Sequence, residues 1–116
     1  MADERCEVSS GTDVSDNLRV GSRTDVLLRI PKDVAMLMLL RTMRPDWIAA
    51  DEITSPKDVD AMEMISYCGV KLLATAHGAD RQDLCKRTLY RKLLDSGIFR
   101  QIVLLRPDKT YQLEEW

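Results

Sequence analysis

The sequence predicts an α/β fold built on a three-layer parallel sheet. Three observations carry this prediction. Short, continuous apolar runs at 47–50, 70–75 and 98–105 have the length and composition of strands buried on both faces. Longer segments with helical spacing alternate with them, and the connections are short, so each strand, helix and strand forms a right-handed βαβ unit covered by helices. In such sheets ligands bind beyond the carboxyl ends of the strands.

Each element has its own signal. Near the start, Arg5, Cys6, Glu7 and Val8 suit a short strand, and its closeness to the first residue leads us to expect a chain cut at its N-terminus. Residues 9–24 are rich in Ser, Gly, Asp and Thr without helical periodicity and are expected as a long loop. The run 31–43 opens with Pro31 and is apolar nearly all round from Val34 to Leu40, which predicts a helix buried on more than one side. Arg44 precedes Pro45, is pushed toward extended geometry and ends that helix. The strand at 47–50 terminates in Asp51 and Glu52. Ser55, Pro56 and Asp58 form a capping-box start, Val59, Met62, Ile65 and Cys68 recur at helical spacing, and Gly69 supplies the stop. The second buried strand, 70–75, leads into Ala76, His77 and Gly78. Residues 80–94 carry helical material ended by Gly97, 98–105 are expected as a third buried strand, and 110–113 as an edge strand.

The 116 residues, 45% of them hydrophobic, are enough for one core and are expected to form a single partial domain over 1–116. Lys and Arg number 17 against 19 Asp and Glu, so no bulk field draws nucleic acid or an anionic membrane. No apolar run approaches a membrane span, and the polar opening residues cannot serve as the core of a signal peptide; the chain reads as cytoplasmic. Cys6, Cys68 and Cys85 are widely spaced and form no CxxC pair, so neither a disulfide framework nor zinc is expected, and they read as small buried hydrophobes.

Two adjacent carboxylates at the end of a buried strand suit a phosphate-bound magnesium site. A hard cation takes oxygen ligands, and the neighbouring carboxylate can orient or deprotonate an attacking water. Asp51 would hold the ion through water and Glu52 would be the general base; the pair equally suits a solvated strand end or a cap for the next helix. His77, the single histidine, follows the next strand, where a neutral imidazole could contact a terminal phosphate or simply occupy a loop. Acids end one strand and Thr75 and His77 follow the next, so both sets are expected to converge on one crevice.

Several ordered segments carry a family resemblance: Gly21 through Leu27 (GSRTDVL), Pro31 and Lys32, the stretch 39–46 (LLRTMRPD), Asp51-Glu52-Ile53, and 69–78 (GVKLLATAHG). Together, over about residues 3–105, they resemble the stage III sporulation protein AA family, P-loop ATPases of endospore-forming bacteria similar to type II and type IV secretion ATPases. The resemblance implies a RecA-like P-loop NTPase core that binds and hydrolyses ATP with Mg, assembles as a homo-oligomeric ring, and works with other stage III sporulation proteins at the membrane. The strand ending in Asp51 and Glu52 resembles a Walker B motif, and the ATAHG segment resembles the sensor strand that contains Thr75 and His77. Asp3-Glu4-Arg5 resembles an acidic box, with Glu4 as a second base candidate. Arg23 matches a family position expected near the nucleotide or a subunit boundary.

The chain departs from this pattern in lacking GxxxxGK[ST], whose backbone N–H groups and lysine cradle phosphates. It is therefore expected to be the C-terminal half of the core, inactive alone and without ATP or Mg of its own. Thr54 and Ser55 also stand where the family commonly has Gly and a charged residue. Two other readings stay open. One is a truncated, non-catalytic paralogue acting as an interaction module. The other is a single-strand-associated ATPase of the cyanobacterial and plastid type, which the GSRTDVL segment and the 5% aromatic content disfavour. A GxxxxGK[ST] codon segment immediately upstream of Met1 would mark the chain as a fragment.

Overall fold

A computed structural model describes residues 1–8 and 20–116, which fall into two compact units, Met1–Ala76 and His77–Trp116. Most of the expected 9–24 loop, residues 9–19, lies outside the described residues.

Among the described residues the first unit is a four-stranded parallel sheet with two helices. Strand β1 is Ala2–Asp3, β2 Leu27–Leu28, β3 Trp47–Glu52 and β4 Lys71–Thr75, in the order β2-β1-β3-β4. Helix α1, Lys32–Thr42, links β2 to β3, and α2, Pro56–Tyr67, links β3 to β4. Both crossovers advance in the same direction across the sheet, so right-handedness sets both helices on one face, where they pack against each other. Among the described residues of this unit the layers are therefore two, sheet and helices, where three were expected.

The core between these layers is made by Ala35, Met36 and Leu39 of α1, Val59, Ala61, Met62 and Ile65 of α2, and Ile48 and Ala50 of β3. Burying each large aliphatic side chain contributes about 1.5–3 kcal/mol before entropy is counted. Helix α1 is buried on one side only, since Val34 and Met38 are 45% and 43% exposed, correcting the all-round burial expected from its composition. Strand β4 also differs from the expected buried strand. It is the edge of its sheet, and Leu73 is 61% exposed on the face away from the helices. On that face the Lys71 ammonium lies 5.2 Å from the centre of the Trp47 ring.

Local chemistry sets the helix ends. Ser55 caps α2 and Asp58 completes a reciprocal capping box, with Pro56 in the first turn. At the other end Gly69, at φ +78°, donates to the Ser66 carbonyl while Val70 donates to that of Ile65, a Schellman closure that needs a left-handed residue. Helix α1 does stop at Arg44, but that residue adopts φ +45° rather than the extended geometry expected before proline. The N-terminal strand also moves. It is Ala2–Asp3, not 5–8, because the Asp3 carboxylate accepts from the N–H of Glu7 and Val8 and bends the chain into a turn.

The second unit holds α3, Arg81–Lys86, α4, Thr88–Asp95, and a hairpin of β5, Gln101–Leu105, and β6, Tyr111–Glu115. The helical material expected over 80–94 is split where Arg87 becomes extended, at φ −90° and ψ 122°. The third parallel strand expected at 98–105 is overturned: β5 pairs antiparallel with β6 in a sheet of its own, and its residues alternate between exposed and half-buried. The edge strand expected at the C-terminus is its partner. A turn closed by Arg106 N–H donating to the Thr110 carbonyl is too short for a parallel crossover, which needs a dozen or more residues. Trp116 donates its indole N–H to the Leu94 carbonyl at 3.1 Å and lies under the Arg81 guanidinium, tying the hairpin to α4.

The cysteines are free, and none is fully buried: Cys68, at the C-terminal end of α2, is exposed. Among the described residues, no helix is long and apolar enough to cross a membrane.

Candidate functional site

The acids that end β3 sit where parallel βαβ order sends them, at the carboxyl edge of the first unit's sheet. Glu52 pairs in register with Thr75 at the end of β4, and Ile53 N–H donates to the Thr75 carbonyl at 3.0 Å. The register shifts between Ala50 and Glu52, an irregularity that places Asp51 in a buried position and Glu52 in a half-buried one. The backbone of Asp3 and Glu4 reaches the same edge through β1, which pairs with β3 at Ala2 and Ala50. Asp51, Glu52, Thr75 and Glu4 are thus gathered at one end of one sheet.

Lys32 stands at the centre of this edge. It is the first residue of α1 and only 3% exposed. Its Nζ lies 3.2 Å from Asp51 Oδ1, 3.7 Å from Asp58 Oδ2 and 3.9 Å from Glu4 Oε2, and donates to the Glu52 carbonyl oxygen. Glu4 Oε2 also accepts the backbone N–H of Lys32 at 3.1 Å. Asp58 Oδ2 accepts the N–H groups of Thr54 and Ser55 at 3.0 and 3.1 Å, so its carboxylate serves the α2 cap and the Lys32 ion pair together. Asp51 Oδ1 differs from these. It is buried and receives no hydrogen bond, so its contact with Nζ is an ion pair without hydrogen-bond alignment.

Lys32 and Asp58 escaped the functional reading of the sequence, yet a signal for Lys32 was there. A lysine in the first turn of a helix opposes the positive end of the helix dipole, so its presence calls for carboxylates nearby. Of the carboxylate oxygens at this edge that would suit a magnesium ion, Asp51 Oδ1 is buried and receives no hydrogen bond. The ammonium of Lys32 already faces it. Among the described residues, no three His, Cys, Asp or Glu side chains converge in a metal-holding group.

Of the remaining predicted residues, Arg23 lies in the first unit and His77 in the second. Arg23 is exposed in a turn closed by Thr24 N–H donating to Gly21, and lines an open cleft with Asp46 and Trp47 at the amino end of β3. The length of β3, at about 3.3 Å per residue, separates that cleft from Asp51 and Glu52. His77 opens the second unit and is exposed. Its carbonyl accepts a hydrogen bond from Arg87 at 2.9 Å, and Arg87 also pairs with Asp83 at 2.9 Å. Asp83 in turn accepts the N–H of Ala79, so the segment after the ATAHG strand is pinned to the start of α3.

The family described as sporulation stage III, protein AA, matches residues 1–112. The stage III sporulation protein AA of Bacillus subtilis (strain 168) is 32% identical over 99 residues, covering 85% of this chain and 32% of that protein. The chain thus spans about a third of the length of the curated relative that it matches. No solved structure matches it.

Proposed function

The chain belongs to the stage III sporulation protein AA family, and from that premise we propose that it serves sporulation as the Walker B and sensor portion of an ATP-hydrolysing core. The observation that supports this most is the gathering of Asp51, Glu52, Thr75 and Glu4 at the carboxyl edge of one parallel sheet, where α/β proteins bind nucleotides. Glu52 is the general base: it accepts a proton as water attacks the terminal phosphorus and the bond to the ADP oxygen breaks. Asp51 would hold magnesium through water, and the ion would supply charge that offsets the phosphates. Thr75 and His77 contact the terminal phosphate, and Glu4 is the alternative base. Arg23 belongs to a subunit boundary in a homo-oligomeric ring, consistent with its distance from the acids. The ring works with other stage III sporulation proteins at the membrane.

The phosphate cradle comes from a segment with the GxxxxGK[ST] pattern, which this sequence lacks. This chain by itself is therefore expected neither to bind ATP at micromolar affinity nor to turn it over. Joined to a family member's phosphate-binding segment, it is expected to do both, and Glu52→Gln should then leave binding intact while turnover falls by about 10²–10⁴. Asp51→Asn should instead weaken magnesium-dependent binding. Unchanged turnover in Glu52→Gln would move the base to Glu4, and turnover by the unjoined chain would overturn the division of labour.

A second reading, an interaction module without catalysis, is favoured by one observation: Val103, Leu105, Tyr111 and Leu113 share one face of the hairpin and are 54–77% exposed. Absence of turnover in the joined chain would select it.

A further inference from the structure

The hairpin of the second unit is apolar on a face that the described residues leave open. Its strands pair so that Val103 stands opposite Leu113 and Leu105 opposite Tyr111. These side chains share one face and are 54%, 56%, 77% and 73% exposed. The residues that alternate with them in β5, Ile102 and Leu104, are half-buried on the other face. A two-stranded sheet with one bare apolar face is marginal in water, and an exposed apolar patch of a few hundred Å², the order reached here, marks an interaction surface. The charge pattern selects the partner. Glu115 follows Leu113 by two residues at one end of the patch, and Lys109 precedes Tyr111 by two residues in the turn at the other, both exposed. Alternate residues of a strand share a face, so Glu115 lies on the apolar one, beside Gln101. A surface that is apolar in the middle, acidic at one end and basic at the other is complementary to itself.

We propose that this face pairs two copies of the chain, hairpin on hairpin, with the sheets about 10 Å apart. Charge fixes the orientation. A two-fold axis lying across the strands sets Glu115 of each copy over Lys109 of the other, whereas an axis along the strands would oppose like charges. Two such patches bury roughly 1,000 Å² in all, the low end for a specific interface, so the dimer is weak, with a Kd of about 1–100 µM. The pairing uses no residue of the proposed nucleotide edge and none of the Arg23 boundary, so it does not compete with a ring for a surface. It shares the hairpin face with the interaction reading and goes beyond it by naming the partner. It holds whether or not the joined chain hydrolyses ATP.

Sedimentation velocity of the whole chain, over about 1–300 µM, tests this. A monomer–dimer equilibrium is expected. Leu113→Asp, which puts a charge into the centre of the patch, should raise the Kd by about 100-fold. Glu115→Lys and Lys109→Glu should each raise it by about tenfold, since a like charge then stands opposite. The double variant Glu115→Lys/Lys109→Glu should restore the wild-type equilibrium, an outcome that a merely destabilised hairpin would not give. A monomer throughout the range overturns the proposal. So does self-association that Leu113→Asp leaves unchanged, or a double variant that pairs no better than the single ones. If circular dichroism shows Leu113→Asp to be unfolded, the three charge variants, all at exposed positions, decide the matter. ATP turnover enters none of these readouts. A chain that is monomeric here and inactive when joined to a phosphate-binding segment would keep the interaction reading and lose only the second copy as its partner.

Discussion

Strands β4 and β5 are two apolar pentapeptides, KLLAT and QIVLL, with the same alternation of exposed and half-buried residues. One runs parallel to its neighbour and the other antiparallel. The difference lies in what joins each to its partner. Between β3 and β4 stands the whole of α2, long enough to carry the chain back to the start of the sheet. Between β5 and β6 there is only the turn of Arg106 to Thr110. The consequence is chemical. Parallel pairing brings two carboxyl ends together and sets Glu52 beside Thr75, whereas the hairpin sets the carboxyl end of β6, Glu114 and Glu115, against the amino end of β5.

The two units also handle charge differently. The first buries an ammonium among carboxylates, and the second keeps its ion pairs at the surface. The same substitution made in each should expose the contrast. Asp58→Ala removes an α2 cap and one partner of buried Lys32, and should cost about 3–5 kcal/mol, the usual price of breaking a buried pair, read as a lower urea midpoint. Asp80→Ala, which removes the exposed cap of α3 at 2.8 Å from the Asp83 N–H, should cost only about 1 kcal/mol. Equal losses would mean that Lys32 contributes little to the difference.

Between these two in size lies Gly78→Ala. A Cβ there would meet Leu84 Cδ2 at 2.8 Å and Cγ at 3.2 Å, so Leu84 must shift. A loss of about 1–3 kcal/mol is expected, with amide exchange faster over Ala79 to Asp83. Unchanged exchange would show that Leu84 repacks freely.

The smallest effect is expected in the hairpin turn. Asp108 accepts the Thr110 hydroxyl at 2.6 Å and the Thr110 N–H at 3.0 Å, and these bonds, the hydroxyl first, hold its carboxyl below the ordinary value. A carboxyl depressed in the folded state favours the turn above its ordinary pKa, and that preference fades as pH falls through the depressed value. Thr110→Val should raise the Asp108 pKa toward the ordinary value in a carbon-detected NMR titration, with unfolding barely altered. An unmoved Asp108 titration would assign the depression to the backbone N–H alone.

Much of the first unit was legible in the residues themselves. Ser55, Pro56, Asp58 and Gly69 bound α2 by short-range chemistry, and the run 47–52 has one plausible use, a strand with acids at its end. The sequence also carries the family, since membership rests on ordered motifs and not on contacts. Pairing direction and exposure were beyond it. Residues 98–105 read as a buried strand because apolar runs look alike, and direction follows from the length of the connection and from which face finds cover. Cys68 and Val34 read as buried for the same reason. Lys32 is the clearest case. Its place in the first turn of a helix was written in the sequence, but Asp51, Asp58 and Glu4 lie 19, 26 and 28 positions away along the chain. Only the stacking of α1 and α2 on one face of the sheet brings three carboxylates to one ammonium, because charges interact through space and the order of residues does not specify which distant ones become neighbours.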